Sequence, residues 1–235
     1  MSMIKIFFLG TPNFVQPIKD QLAKHFTLVD SAKEADLGVV AAHGKILPKE
    51  ELQTPKHGFI NIHPSLLPKY RGPSPIQSAI LNGDQISSIS IIKMDEEVDH
   101  GPILYQEKMA LSGIDTFDTL SKKMFQRAAE VLPKIIEDFI AGKIKPTEQN
   151  HAEAIFCSLL TRDSGYFDIN NPPDPKTLDR MIRAYYPWPG VWTKWKGKIV
   201  KFYPEEKIQM EGKKVLTLRD FLNGYPDFPI TSLSR

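Results

Sequence analysis

The sequence contains one cysteine in 235 residues, Cys157, which excludes an internal disulfide and a multi-cysteine zinc site. A single cysteine is typical of a reducing compartment, so we expect a cytoplasmic protein. No apolar run approaches the roughly 20 residues that a membrane span requires, and the first ten residues lack the features of a signal peptide. The net charge of +2 is too small to indicate a nucleic-acid partner by itself.

A glycine-rich dinucleotide fingerprint is also absent after the first predicted strand. Apolar runs alternate with amphipathic segments, which predicts an α/β fold with a Rossmann-like, largely parallel sheet. The predicted strands cover residues 4–10, 26–30, 37–42, 58–63, 88–94 and 102–111. The predicted helices cover residues 11–24, 75–82 and 116–140, the first with Thr11 as its cap and Pro12 at its first position.

The link Ser31 to Asp36 is too short for this scheme, because a parallel crossover normally needs a dozen residues or more. Either a segment is missing there, or the second predicted strand does not pair as a parallel strand.

We expect two domains, residues 1–150 and residues 151–235, the second consisting of a linker and a small, truncated β-rich region. A cluster of cations and aromatics, Arg180 to Pro204, holds six cations, no acid and all three tryptophans. Two interpretations remain open. The cluster can bind phosphates and stack on bases, or it can be a β-unit with aromatics inward and lysines on an exposed edge.

Polar residues occur at the ends of two predicted apolar strands, where we expect a functional site. Alternate side chains of a strand face the same way, so Asn61 and His63 project together from FINIH, and an acidic turn that carries Asp99 follows the next strand. An imidazole, a carboxylate and an amide can relay a proton, orient a base and donate to an oxyanion in acyl transfer to an amine. The alternative is a structural histidine that makes hydrogen bonds before a proline-rich loop.

The segments NIHPSLLPKYRG and MDEEVDHGPIL resemble the folate-dependent formyltransferase family. The resemblance implies that 10-formyltetrahydrofolate is the formyl donor and that Asn61, His63 and Asp99 are catalytic. Because the sequence has no cysteine cluster and no His-x-x-x-His pair, we also predict that no metal takes part in catalysis. The resemblance also implies a folate pocket lined by three short segments. The residues are Gly44, Ile46, Leu47, Ser65, Leu66, Leu67, Pro68, Asp95, Glu97 and Val98.

The acceptor is less sharply defined. GTPNF, YRGPSPIQ, IRAYYPWPGVWT and MEGKKVLTLRDFLNG resemble the family members that formylate initiator methionyl-tRNA. The implied substrate-binding residues are Tyr70, Arg71, Gly72, Arg183, Trp188 and Lys194. However, the basic insertion of those members is missing at the short link, and Gly197 to Gly224 can supply two or three strands and a short helix, too few for a five-stranded barrel. A nucleotide-linked amino sugar is the alternative acceptor, and a non-catalytic folate or nucleic-acid binding protein is a third hypothesis.

Overall fold

A computed structural model describes residues 3–233, which form two units. Of the described residues, the first unit comprises 3–75, 86–110 and 121–158, and the second comprises 76–85, 111–120 and 159–233. Met1 and Ser2, on which part of the signal-peptide expectation depends, lie outside the described residues. The domain boundary at residue 150 remains a prediction.

The first unit contains a six-stranded sheet in the order β2-β1-β3-β4-β5-β6. The pairs β2-β1, β1-β3 and β3-β4 are parallel, whereas β5 runs antiparallel to both β4 and β6. The predicted Rossmann-like, largely parallel sheet is confirmed, with an antiparallel edge that the sequence analysis did not anticipate. The strands are β1 Lys5–Gly10, β2 Thr27–Val29, β3 Leu37–Ala41, β4 Phe59–His63, β5 Ile86–Lys93 and β6 Ile103–Ala110.

The short link after β2 has a simple explanation in the register. Strand β2 pairs only with the first half of β1, where Val29 lies opposite Phe7, while β3 begins with Leu37 opposite Ile6. Measured along β1, the end of β2 and the start of β3 are therefore only one residue apart. A link that contains one 3-10 turn, at Ala32–Glu34, is long enough to join the two strands. The hypothesis that the second strand does not pair as a parallel strand is wrong. The other hypothesis, that a segment is missing from this link, remains a prediction.

The helices lie close to their predicted positions, but the predicted cap of the first helix is not observed. Helix α3 has the predicted bounds, and Gly83 follows it with a positive φ of 70° that suits a residue without a side chain. The capping prediction for Thr11 is wrong, because a 3-10 turn at Asn13–Val15 precedes α1 and no side chain caps it. The helices are α1 Gln16–His25, α2 Lys49–Leu52, α3 Pro75–Asn82, α4 Phe117–Ile140, α5 Pro175–Ala184 and α6 Leu218–Gly224. Within residues 3–233, no helix combines the length and apolar character needed to cross a membrane.

The second unit contains a four-stranded antiparallel sheet in the order β10-β9-β8-β7. The range Gly197 to Gly224 supplies three of these strands and α6, as predicted. Alternate residues of β7 are buried, so Val191, Thr193 and Trp195 pack inward while Lys194 is exposed. The strands are β7 Val191–Trp195, β8 Lys198–Tyr203, β9 Lys207–Met210 and β10 Leu216–Thr217.

Candidate functional site

Strand β4 carries the first two candidate residues. It lies between β3 and β5, and its apolar residues Ile60 and Ile62 are buried in the sheet packing. The intervening Asn61 is half-buried, and His63, at the carboxyl end, is 4% exposed. Because alternate residues of a strand face the same side, the two polar side chains project together, as predicted.

Asp99 completes the cluster. Its Oδ1 accepts a hydrogen bond from Asn61 Nδ2 at 3.0 Å, and its Oδ2 accepts one from the backbone N–H of Gly72 at 2.8 Å. The same Oδ2 lies 3.4 Å from His63 Nδ1. The structure thus brings together the three residues that the sequence singled out, and their catalytic roles remain predictions.

The path of the loop that carries Asp99 differs from the one expected from the sequence. Because β5 is antiparallel to β4, its last residue, Lys93, lies opposite Ile60 and not at the carboxyl end of β4. The loop after β5 doubles back, and its return is so tight that a Cβ on Gly101 would lie 1.8 Å from the carbonyl oxygen of Lys93. Asp99 reaches the site through this loop, with a positive φ of 50° that is uncommon outside glycine.

The orientation of His63 follows from its partners. Its Nε2 lies 2.9 Å from the carbonyl oxygen of Tyr70. A carbonyl only accepts, so Nε2 carries a proton and donates it there. The other ring nitrogen, Nδ1, is therefore the one that faces Asp99.

The proline-rich loop is tied to the sheet and to itself. Ser65 is fully buried; its hydroxyl donates to the carbonyl of Lys69 at 2.6 Å, and its own carbonyl accepts from the Ser90 hydroxyl at 2.6 Å. The carbonyl of the buried Leu67 accepts from Gln106 at 3.1 Å, while Leu66 and Pro68 are half-buried. These bonds make the loop a fixed wall beside β4.

Gly72 has no room for a side chain. Its φ is 109°, and a Cβ there would lie 2.7 Å from the carbonyl oxygen of Cys157. Glycine lets the loop pass this close to residue 157 while aiming its N–H at Asp99.

The two other predicted walls of the folate pocket differ in exposure. In the loop after β3, Gly44 is exposed and Ile46 is 76% exposed, whereas Leu47 packs in an apolar cluster with Val40, Leu52 and Phe59.

In the acidic turn, Val98 and Glu97 are exposed. Asp95 is held by His100, whose Nδ1 lies 2.6 Å from its Oδ2. Nearby, Lys49 of α2 bonds to Glu96 of the turn, and this hydrogen bond raises the pKa of the Lys49 ammonium above its usual value.

A cavity of about 630 Å³ lies next to this turn. It shares Met94, Asp95 and Glu96 with the turn and is otherwise lined by α2, by the segment before β4, by Lys93 at the end of β5 and by Phe139. Neither His63 nor Asp99 lines it, so we assign the candidate site from the polar cluster and not from cavity size.

The predicted substrate-binding residues lie in several environments. Tyr70 and Arg71 are buried, and Arg71 is 2% exposed with its guanidinium bonded to Gln149 and His151. Arg183 bonds to Asp179 at 2.8 Å and to the carbonyl of Asp115 at 3.2 Å.

The remaining predicted residues lie on the surface of the second unit. Trp188 is 56% exposed, and Lys194 is exposed on β7. Within the cluster of cations and aromatics, Trp195 and Phe202 are buried while Lys198 and Lys201 are exposed, as the second interpretation expects. Trp188 is exposed and Trp192 is only half-buried, so the first interpretation stays open for these two rings. Lys196 pairs with Asp227, so acids outside the cluster offset part of its charge.

Sequence reasoning missed Gln149, which lies in a polar segment after the last helix of the first predicted domain. Its side chain is 5% exposed and bonds both to Arg71 and to the loop that carries Asp99. A glutamine in the segment KPTEQN carries no pattern that distinguishes it from a solvated one. Within residues 3–233, no group of three or more potential ligands stands close enough to hold a metal ion.

A Rossmann-like sheet with an asparagine, a histidine and an aspartate gathered at the end of a central strand defines a class of α/β protein with a polar site. Residues 5–136 match the family described as formyl transferase, and residues 173–207 match the formyl transferase C-terminal domain. The chain belongs to the formyl transferase family.

Similar proteins agree with this assignment. A methionyl-tRNA formyltransferase of Roseiflexus sp. is 44% identical over 171 residues, which cover 73% of this chain and 52% of that protein. The chain thus spans about half the length of this relative. Two solved structures share the fold. A methionyl-tRNA formyltransferase from Clostridium thermocellum has a TM-score of 0.67 at 20% identity, covering 91% of this chain and 96% of that one. A sugar N-formyltransferase from Shewanella sp. has a TM-score of 0.70 at 17% identity, covering 90% and 99%.

Proposed function

We propose that this chain transfers the formyl group of 10-formyltetrahydrofolate to the amino group of methionyl-tRNA in the cytoplasm. The observation that carries the proposal is the cluster of Asn61, His63 and Asp99 in a chain of the formyl transferase family. The name of the Roseiflexus relative favours methionyl-tRNA as the acceptor.

In the proposed reaction, the acceptor nitrogen attacks the formyl carbon and a new C–N bond forms. The tetrahedral intermediate then collapses, the bond from the formyl carbon to N10 breaks, and N10 gains the proton that the amine loses. Asn61 has a second Nδ2–H beyond the one given to Asp99, and this N–H donates to the oxyanion. His63 relays the proton through Nδ1, because Nε2 is committed to Tyr70.

Asp99 orients His63 and helps to remove the amine proton. Its carboxylate is held from two sides, by the Asn61 amide and the Gly72 N–H, so its position does not depend on substrate. Groups fixed in advance where charge develops require no reorganisation during the reaction.

The folate lies between the loop after β3 and the acidic turn. The exposed Ile46 and Val98 provide apolar surface on the two walls, and backbone groups of the turn can pair with a pterin ring. The reaction needs no metal.

The outer face of the second sheet is suited to the acceptor's phosphates. Lys201 lies directly opposite Trp192, and Lys194 projects to the same side two residues along β7. The guanidinium of Arg162 lies 5.8 Å from the centre of the Trp192 ring, and the Tyr166 ring lies 4.8 Å from it. Interleaved cations and aromatics of this kind bind phosphates and stack on bases.

The proposal is tested by incubating the protein with 10-formyltetrahydrofolate and methionyl-tRNA and measuring N-formylmethionine after deacylation. We expect formylation by the wild type and a loss of roughly 10²-fold or more in His63→Ala. Equal activity in the two proteins would contradict the assignment of His63.

A nucleotide-linked amino sugar is the second candidate acceptor. The observation that favours it is the reduced second sheet of four strands, together with near-complete coverage of a sugar N-formyltransferase structure. Salt separates the candidates. Affinity for tRNA falls steeply with salt because each neutralised phosphate releases counterions, whereas a ligand with two phosphates has a shallow dependence. No binding of tRNA at low salt, together with turnover of an amino sugar, would select this alternative.

A further inference from the structure

Gln149 connects a buried cation to the loop that carries Asp99. Its Oε1 accepts from Arg71 Nη2 at 2.8 Å and from Arg71 Nε at 3.2 Å. Its Nε2 lies within hydrogen-bond distance of three consecutive backbone carbonyls, those of Asp99 at 2.9 Å, His100 at 3.0 Å and Gly101 at 2.7 Å, and its two N–H groups serve all three because one of them is shared. A guanidinium only donates and a carbonyl only accepts, so the amide can be placed in one orientation only.

The loop that receives these bonds needs an external constraint. Asp99 has a positive φ of 50°, a conformation that persists in a non-glycine residue only when its surroundings impose it. Residues 94–102 contain no helix or strand, so regular backbone hydrogen bonds do not fix the loop. The two N–H groups of one buried amide hold three consecutive carbonyls of this loop, and they set the direction in which the Asp99 carboxylate points.

Arg71 is a rigid anchor for this amide. Its backbone N–H donates to the carbonyl of Ile155 at 2.8 Å, and its carbonyl accepts from the N–H of Cys157 at 2.8 Å. The guanidinium also lies 2.8 Å from His151 Nδ1, which must accept and therefore carries no proton. The next residue, Gly72, gives its N–H to Asp99 Oδ2. The two neighbouring residues therefore contact Asp99 by different routes. Arg71 binds Gln149, which binds the Asp99 backbone, and Gly72 binds the Asp99 carboxylate directly.

We propose that Gln149 is a positioning residue, which places Asp99 for formyl transfer without touching substrate or folate. The kinetic part of this inference rests on the proposed function, and the structural part does not. Removing the Nε2 donors lets the loop drift from Asn61 and His63. A displacement of about 1 Å in a reacting group can cost about 10²-fold in rate, so kcat falls by about 10-fold to 100-fold while KM changes by less than about threefold.

Two variants separate positioning from packing. Gln149→Glu keeps the size of the side chain and its bond to Arg71, but it replaces the donor group with an acceptor that faces three carbonyls. Gln149→Met removes both contacts. If Gln149 only satisfied Arg71, Gln149→Glu would behave like the wild type. If it positions Asp99, Gln149→Glu and Gln149→Met lose kcat to a similar extent.

The matched control is Gln126→Glu, which makes the same change on an exposed position of α4. It retains wild-type kcat. Where Gln149→Met does not fold, Gln149→Asn replaces it, because an amide shortened by one methylene cannot reach both Arg71 and the carbonyls.

Amide hydrogen exchange at Gly72 tests the inference independently of activity. The Gly72 N–H is protected by its bond to Asp99 Oδ2, and we expect its exchange to accelerate by about tenfold or more in Gln149→Glu. Unchanged exchange at Gly72 together with wild-type kcat would overturn the inference. A wild type that formylates no acceptor would instead refute the proposed function, and the exchange measurement would still decide the role of Gln149.

Discussion

The change Asp99→Asn tests the geometry of the cluster with minimal change in shape. The carboxylate accepts from two donors, the Asn61 amide and the Gly72 N–H. An amide in its place has one oxygen and one NH2 group, so it can satisfy only one of these donors as they stand. The backbone N–H of Gly72 cannot turn, so the new oxygen faces it and the new NH2 group faces Asn61 Nδ2.

The expected losses of stability and of turnover follow from this opposition of two hydrogen-bond donors. Asn61 can relieve it by turning its amide, but its N–H groups then point away from the oxyanion. The bond to Gly72 changes from a charged to a neutral acceptor, which costs about 1 kcal/mol of folding stability. Turnover loses both the carboxylate that removes the amine proton and the oxyanion donor. We expect a fall of roughly 10²-fold or more, which corresponds to about 2.7 kcal/mol or more in the barrier.

The assay is the initial rate of formyl transfer at saturating donor, with thermal unfolding measured alongside. Asp30→Asn, at an exposed position just after β2, is the matched control and should retain wild-type turnover. Turnover of Asp99→Asn within about threefold of the wild type would refute the reasoning. So would a stability loss large enough to account for the whole loss of activity.

Three further predictions concern charge, pH and metal. Lys194→Glu with Lys201→Glu should weaken binding of the acceptor tRNA and flatten its salt dependence, whereas Lys19→Glu with Lys24→Glu on α1 should not; equal effects of the two pairs would exclude the outer face of the second sheet. Hydrogen bonds from Arg127 hold the pKa of Glu107 below its ordinary value of 4.5, so this pair contributes stability above that pH and loses it as the pH falls through the lowered pKa. The melting temperature of Arg127→Gln should therefore fall less steeply than that of the wild type between about pH 5 and about pH 3; parallel curves would contradict this. Exhaustive chelation should leave turnover unchanged, and a loss restored by added metal would disprove metal-free catalysis.

Much of the six-stranded sheet, and helix α3, could be predicted because local patterns determine them. Apolar runs marked all six strands of the sheet, and Pro75 and Gly83 marked the two ends of α3. The pair Asn61 and His63 followed from the two-residue period of a strand, which holds whatever the strand packs against.

The remaining features depend on contacts between distant segments. Nothing in the sequence of β5 shows that it runs antiparallel to β4. The sequence analysis expected Asp99 near His63 because both follow predicted strands; the two residues do lie together, but the loop after β5 doubles back to bring Asp99 there. Gln149 contacts Arg71, which lies 78 residues away, and a polar segment gives no sign of such a contact. The six cations of Arg180 to Pro204 suggested a surface patch, yet Arg183 points inward to Asp179 because α5 places the two residues one turn apart.

The most direct test of the central claim is the stoichiometry of the reaction. Tetrahydrofolate released from 10-formyltetrahydrofolate and N-formylmethionine formed on tRNA are measured in the same reaction, for the wild type and for His63→Ala. We predict one tetrahydrofolate per formyl group transferred in the wild type, and a loss of both products together in the variant. Tetrahydrofolate release without a formylated acceptor, or equal release by the two proteins, would contradict formyl transfer at the cluster of Asn61, His63 and Asp99.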